Sequence, residues 1–292
     1  MLKTRSILLI LTLVLGFNLK AQRFVSTHSF DRLSKFTAGV GFNTYFGDLR
    51  RLQDAKFQFG LSFGLGYEHL LTDNIALRSQ ISIYQIKADD ALSKIPERRE
   101  RNLNFKATNV EFIVQGMYYA FRHPAKGYAH RAFVNPYIHL GVGVTTNNPI
   151  QTLNGTEYKM RPLSIEGEQY GTLAFIVPVG VGVDFFISKN FDIQFDIQYN
   201  LAFTGYLDDV STVYRDQASF TDTDGVPAAT LAQLSDPRTV LDPPVQPVDA
   251  GTARGNNSND SYLRFGFKLG YYLPKSLYGK SSIRCRVIKK TR

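Results

Sequence analysis

Between residues 171 and 204 hydrophobic and polar side chains alternate over two long arms. In the second arm Phe191, Ile193, Phe195, Ile197, Tyr199, Leu201 and Phe203 share one face, and Asp192, Gln194, Asp196, Gln198 and Asn200 share the other. A period of two is the period of a β-strand, whose successive side chains point to opposite sides. The first arm alternates likewise, with Leu173, Phe175, Val177, Val179, Val181, Val183 and Phe185 against Thr172, Ala174, Gly180, Gly182 and Asp184. Ser188-Lys189-Asn190 joins the arms, so the stretch predicts an antiparallel hairpin. Each arm is about twice the usual strand of five or six residues and long enough to cross a hydrocarbon core, which takes about 9–11 tilted residues.

The same pattern predicts six further strands, near 36–46, 56–70, 75–87, 105–121, 133–146 and 261–273. The segment Gly66–Ile75 matches Gly182–Phe191 in kind at almost every position, which predicts two hairpins of one design. Pro136 and Pro178 fall inside predicted strands, where a proline loses a ladder hydrogen bond, and bulges are expected there. The connections alternate between mostly long (47–55, 88–104, 147–170 and 205–259) and shorter (71–74, 122–132 and 188–190). That asymmetry predicts an all-β, eight-stranded antiparallel transmembrane β-barrel with long extracellular loops and both termini in the periplasm. The Pro-rich segment 205–259 reads as irregular or disordered.

A soluble barrel or sandwich would alternate too, with its apolar faces inward. Against it stand strand length, the sorting of loops by side, and a polar face rich in Gly, which suits a narrow lumen better than a solvated surface. On the membrane reading Glu68, Glu111, Asp184, Asp192 and Asp196 point inward with Arg78, His139, Arg264 and Lys268. Charges taken out of water need partners, so these predict either a salt-bridged plug or a narrow polar channel. The chain has no Trp; Tyr67, Tyr84, Tyr118, Tyr199 and Tyr271 are the candidates for an interfacial aromatic girdle.

Residues 1–21 read as a secretory signal: Lys3 and Arg5, an apolar run from Ile7 to Leu15, and a small residue, Ala21, before Gln22. The run is too short for a spanning helix, which needs about 20 residues. Residues 22–35 are a periplasmic lead-in, 36–273 the barrel, and 274–292 a periplasmic tail. Cys285 is the sole cysteine, which excludes an internal disulfide. The net charge of +9 belongs to that tail: Lys275, Lys280, Arg284, Arg286, Lys289, Lys290 and Arg292 have no acid among them, and residues 22–274 balance 24 bases against 25 acids. The tail is a candidate for holding a periplasmic partner or lipid phosphates. A nucleic-acid partner is not expected of an exported chain.

The pairs Asp89-Asp90 and Asp208-Asp209 have the composition of general acid–base sites, yet no nucleophile or His metal pair accompanies them. Asp222-x-Asp224-Gly225 has the opening of a calcium loop without its closing Glu. No cofactor, metal or small-molecule substrate is expected. Three segments carry a resemblance: Asn43-Thr44-Tyr45-Phe46-Gly47-Asp48-Leu49, Ala88-Asp89-Asp90 with Arg101-Asn102-Leu103-Asn104-Phe105, and Tyr206-Leu207-Asp208-Asp209-Val210. On a barrel behind a signal peptide, they resemble the PorG-like outer-membrane proteins of Bacteroidota. The resemblance covers most of residues 36–273. It implies an outer-membrane protein that contacts lipid and periplasmic components of the type IX secretion and gliding machinery, without enzymatic activity. The alternative is a stand-alone barrel, either a narrow pore or a surface adhesin.

Overall fold

The structure is a computed structural model that describes residues 34–49, 58–121, 132–188 and 190–273. The expected signal at 1–21, most of the lead-in, residues 50–57, the turn 122–131, Lys189 and the basic tail lie outside the described residues.

Eight long strands form the wall: β1 (Ser34–Phe46), β2 (Gly60–Leu70), β3 (Ile75–Asp89), β4 (Asn104–Tyr119), β5 (Val134–Thr146), β8 (Leu173–Phe186), β9 (Phe191–Ala202) and β10 (Ser261–Tyr272). Two shorter strands, β6 (Pro149–Leu153) and β7 (Thr156–Lys159), form a hairpin in the third long loop. All wall pairings are antiparallel between sequence neighbours, and β10 pairs β1 to close the cylinder. Closure leaves no open wall edge, the condition that a lipid environment imposes on backbone hydrogen bonds.

The register sets the shape. From Ser34 the paired residues run His69, Leu77, Gly116, Leu140, Val179, Tyr199, Leu263 and back to β1 at Thr44, ten residues along. Strand rise and spacing convert a stagger of ten over eight strands into a tilt of about 40°. A twelve-residue strand such as β9 or β10 then rises about 30 Å along the axis, enough for an apolar band about 25 Å tall.

The apolar faces point out. In β9, Phe195 is 48% exposed and Ile197 47%, whereas Gln194 and Asn200 are fully buried. Leu61, Phe63, Ile81, Ile83, Ile138, Leu140, Phe267 and Leu269 repeat this around the wall. All nine ionisable residues expected inside are buried there. Lys35, assigned from sequence to the lead-in, belongs to β1 and joins them. Tyr118, Tyr199 and Tyr271 face outward as expected. Tyr84 does not: it is enclosed in the lumen, stacked on Tyr262 at 4.7 Å, because its position in β3 has the parity of Arg78 and Ser82.

The prolines make no bulge. Pro136 pairs with Val183 and Pro178 with Asn200 in ladders whose register is constant from end to end. Pro178 loses only local pairing toward β5, between Leu140↔Val179 and Gly143↔Ile176. The sequence echo is a structural repeat. In one turn Thr72 Oγ1 accepts from the Asn74 and Ile75 amides; in the other Ser188 Oγ accepts from those of Asn190 and Phe191. Tyr119 N donates to Asn74 O, and Tyr272 N to Asn190 O, both at 2.8 Å. The two hairpins stand half a turn apart around the barrel.

The segment 205–259 is largely irregular, as its composition leads one to expect, but it is packed rather than disordered. It holds the helix Ala228–Ser235 and short 3-10 turns at Gln217–Ser219 and Pro237–Val240. Ala and Leu favour helix, Leu231 and Leu234 bury one side, and Asp222 Oδ1 accepts from Ala228 N at the start. Leu231 and Leu234 pack with Leu153, Met160, Leu163, Ile165 and Phe220, so third and fourth loops share a small core. That core supplies the burial which overrides the Pro-rich composition.

Candidate functional site

The inside of the barrel and its long-loop mouth hold the chemistry. Glycines face into the lumen beside the largest charged groups: a Cβ at Gly266 would collide with Asp196 Oδ1, and one at Gly270 with Asp192 Oδ1. The missing side chains make room for ion pairs. At the turn end Lys35 Nζ meets Asp192 at 2.7 Å, Asp184 at 3.0 Å and Glu68 at 3.3 Å. Arg78 lies between Glu68 at 3.1 Å and Asp196 at 3.3 Å and donates to Gln194 at 2.8 Å; Lys268 meets Asp196 at 2.6 Å. Above them Gln115 bonds His139 and Gln198, each at 3.0 Å. Higher still, Arg264 pairs with Glu111, which also accepts from the Tyr262 hydroxyl, and donates to Asn43. These buried, interlocked side chains are the ion pairs expected of a plug, and eight strands leave little more than side-chain room.

Described residues of all four long loops meet over the mouth. Tyr45, Leu49, Leu103, Phe105, Leu207 and Val210 form an apolar layer with Tyr84 and Tyr262 of the upper lumen. Over it runs a brace of charges. Arg101 grips Asp90 through Nε at 2.6 Å and Nη2 at 3.0 Å, and donates to the carbonyls of Asp48 and Arg254 at 3.1 Å each. Arg254 donates to Glu166 at 2.9 Å and to the Asp209 carbonyl at 2.6 Å. Glu166 accepts from the amides of Ser211 and Thr212, and Asp48 from the amide of Asn256. One network therefore ties all four loops together.

The sequence-selected residues converge on this seam. Asp48, Asp90, Asp208 and Asp209 are all buried in it. Asp89 accepts from Ala91 N and starts the 3-10 turn that carries Asp90. Phe46 ends β1, and Gly47 lies so close to Tyr45 and Asp260 that any Cβ would overlap them. Tyr45 OH lies 2.6 Å from Asp208 Oδ2 and in hydrogen-bond contact with Asp260 Oδ1. Burial pushes Asp208 up to about 8 and Asp209 to about 6, and burial together with the charge of Asp208 raises Asp260 well above the carboxylate range. These carboxyls are enclosed and engaged by backbone amides, Tyr and Arg, which fits bracing rather than acid–base turnover.

Asp260, Glu166, Arg254 and Lys35 were not selected from sequence. Lys35 had a usable signal, since it keeps the inward parity of Thr37 and Gly39; the other three lie in loops with no period. Asp222-Thr223-Asp224-Gly225, which opens like a calcium loop in the sequence, is a turn in the structure. Asp224 (φ 51°) and Gly225 (φ 76°) form a turn closed by the Thr223↔Val226 bridge, and Asp222 caps the helix. The candidate tail residues Lys275, Lys280, Arg284, Arg286, Lys289, Lys290 and Arg292 lie outside the described residues.

A family profile described as "Domain of unknown function (DUF6089)" matches residues 6–221. A search of curated proteins finds no match. Among solved structures, the chain is similar to Neisserial surface protein A, with 10% identity and TM-score 0.41 over 82% of this chain and 97% of that one. It is also similar to Ail, the attachment invasion locus protein of Yersinia pestis (10%, TM-score 0.38, 83% and 99%), and to OprG of Pseudomonas aeruginosa (11%, TM-score 0.40, 83% and 97%).

Proposed function

The chain belongs to the DUF6089 family, defined without a function, and from that premise we propose that it is a sealed outer-membrane barrel that anchors other proteins. The observation that carries this is the bore itself. Arg78, Lys35, Lys268 and Arg264 interlock with five acids along its length, and a braced cap lies over the mouth. A barrel with a filled lumen works through its outer surfaces and ends. The resemblance carried by Tyr45–Leu49, Asp89-Asp90 and Asp208-Asp209 supports one setting for it: an accessory subunit of type IX protein secretion, in the outer membrane of a Gram-negative bacterium. The tail from Lys275 to Arg292 is the proposed hold on a periplasmic partner.

Co-purification from outer membranes in mild detergent tests the reading. Periplasmic secretion components are expected with the full chain and depleted when it is cut after Leu273, most clearly at low salt. Retention of the same partners by the cut chain contradicts the tail's role; their absence from both contradicts the secretion role. In planar bilayers the barrel is expected to pass little current, and stable open channels would support a pore instead. A second reading, surface adhesin, is favoured by the exposed Asp216, Asp222, Asp224, Asp242 and Asp249 in a loop that contains no Lys. Binding of the purified barrel to a basic surface, without any periplasmic partner, would favour it.

A further inference from the structure

Tyr45 stands between two carboxyl groups with one proton to give. Its hydroxyl contacts Asp208 Oδ2 and Asp260 Oδ1, one at each end of the long fourth loop. Both residues are buried, at 2% and 0% exposure. A phenol donates once, so its second contact to a carboxyl is a hydrogen bond only if that carboxyl carries a proton. The remaining oxygens are already acceptors: Asp208 Oδ1 takes the Val210 amide, and Asp260 Oδ2 takes the Leu207 amide at 2.9 Å.

The surroundings offer little positive charge to replace that proton. Asp48, from the first loop, faces both carboxyls and adds a like charge, its own Oδ1 taking the Asn256 amide. From the second loop, Arg101 faces Asp208 but is committed to Asp90 on two nitrogens; Arg98 donates to the Asp48 carbonyl. On the far side Asp209 is bound to Tyr170 and faces Arg254, which Glu166 holds.

We propose that the cap is a proton-dependent latch: one proton shared among Asp208, Tyr45 and Asp260 fastens both ends of the fourth loop to the barrel mouth, and its loss frees the loop. The sign follows from burial. In the closed cap Asp208 binds its proton up to about 8, whereas a solvated carboxyl releases it near 4. The closed form is therefore favoured in acid. Its advantage falls by up to about tenfold per pH unit between about 4 and 8 and is smallest above that range. The latch rests on the barrel and its loops and stands whether or not the secretion role does.

Hydrogen exchange of the full chain in lipid nanodiscs, corrected for the intrinsic pH dependence of exchange, reads the latch directly. Amides of residues 204–215 and 254–260 are expected to be protected at least about tenfold more at pH 6 than at pH 9, while those of β9 stay constant. Asp208→Asn and Asp260→Asn, which imitate the protonated acid, are each expected to keep protection at pH 9. A protection that is flat with pH in the unaltered chain overturns the latch. So does a loss at pH 9 that persists unchanged in both variants. The pH series needs no substitution, so it decides the matter even if a variant does not fold.

Discussion

Arg78 is the keystone of the lower lumen, and its removal has a calculable direction. Its guanidinium is fully buried, bonded to Glu68, Asp196 and Gln194 at 2.8–3.3 Å, with the Tyr137 ring 5.5 Å away. Lys35, Arg78 and Lys268 together face Glu68, Asp184, Asp192 and Asp196, so Arg78→Met leaves two cations against four carboxyls. Breaking a buried pair by deleting one partner costs about 3–5 kcal/mol, since the other charge stays desolvated. Asp196 keeps its shortest cation contact, Lys268 at 2.6 Å, whereas Glu68 loses its own, Arg78 at 3.1 Å, and is left with Lys35 farther off at 3.3 Å. Glu68 is thus the more exposed to the loss, and Arg78→Met with Glu68→Gln is expected to recover at least half of it. Urea unfolding in phospholipid vesicles, followed by circular dichroism and by gel mobility because the chain lacks Trp, measures each variant. An unchanged midpoint for the single variant, or a double variant no better than the single, refutes the reasoning.

Three further outcomes are expected. Phe195→Arg, on the exposed face of β9, should cost about 2–4 kcal/mol of stability in vesicles, measured by the same urea titration. Gly266→Leu should destabilise the barrel, because even its Cβ meets Asp196; a reduced yield of the heat-modifiable folded form on gels measures it. Arg101→Ala should leave the wall intact while loosening the second loop from Asp48 of the first and Arg254 of the fourth, seen as faster protease cleavage in the loops without loss of the barrel's gel mobility.

The wall was legible in the sequence because its physics is periodic. Phe191 to Leu201 alternate cleanly, and the polar partners Asp192, Asp196 and Gln198 lie on the face that the structure encloses. Lys35 escaped because the alternation begins two residues earlier than the first conspicuous aromatic, Phe36. Tyr84 departs from the expected girdle because parity along β3, and not residue type, sets the direction of its side chain. The cap was not legible as structure. Its order comes from contacts far apart in sequence: Arg101 with Arg254, Arg254 with Glu166, and Leu153 with Leu231 and Leu234. Pro-rich composition gives no hint of such partners, and only the family-like segments Tyr45–Leu49, Asp89-Asp90 and Asp208-Asp209 mark the seam. No nucleophile accompanies the paired aspartates in the sequence, and in the structure Asp90, Asp208 and Asp209 are buried in hydrogen bonds within and between the loops.

The whole barrel depends on one orientation, with the odd-numbered face of β9 toward hydrocarbon and the even-numbered face enclosed. With Cys285 replaced by Ser, single cysteines at successive positions from 191 to 200 can each carry a fluorophore in vesicles containing brominated lipid. Strong quenching at 191, 193, 195, 197 and 199, with little at 192, 194, 196, 198 and 200, is the expected result. Uniform quenching, or quenching confined to the even positions, would contradict the account.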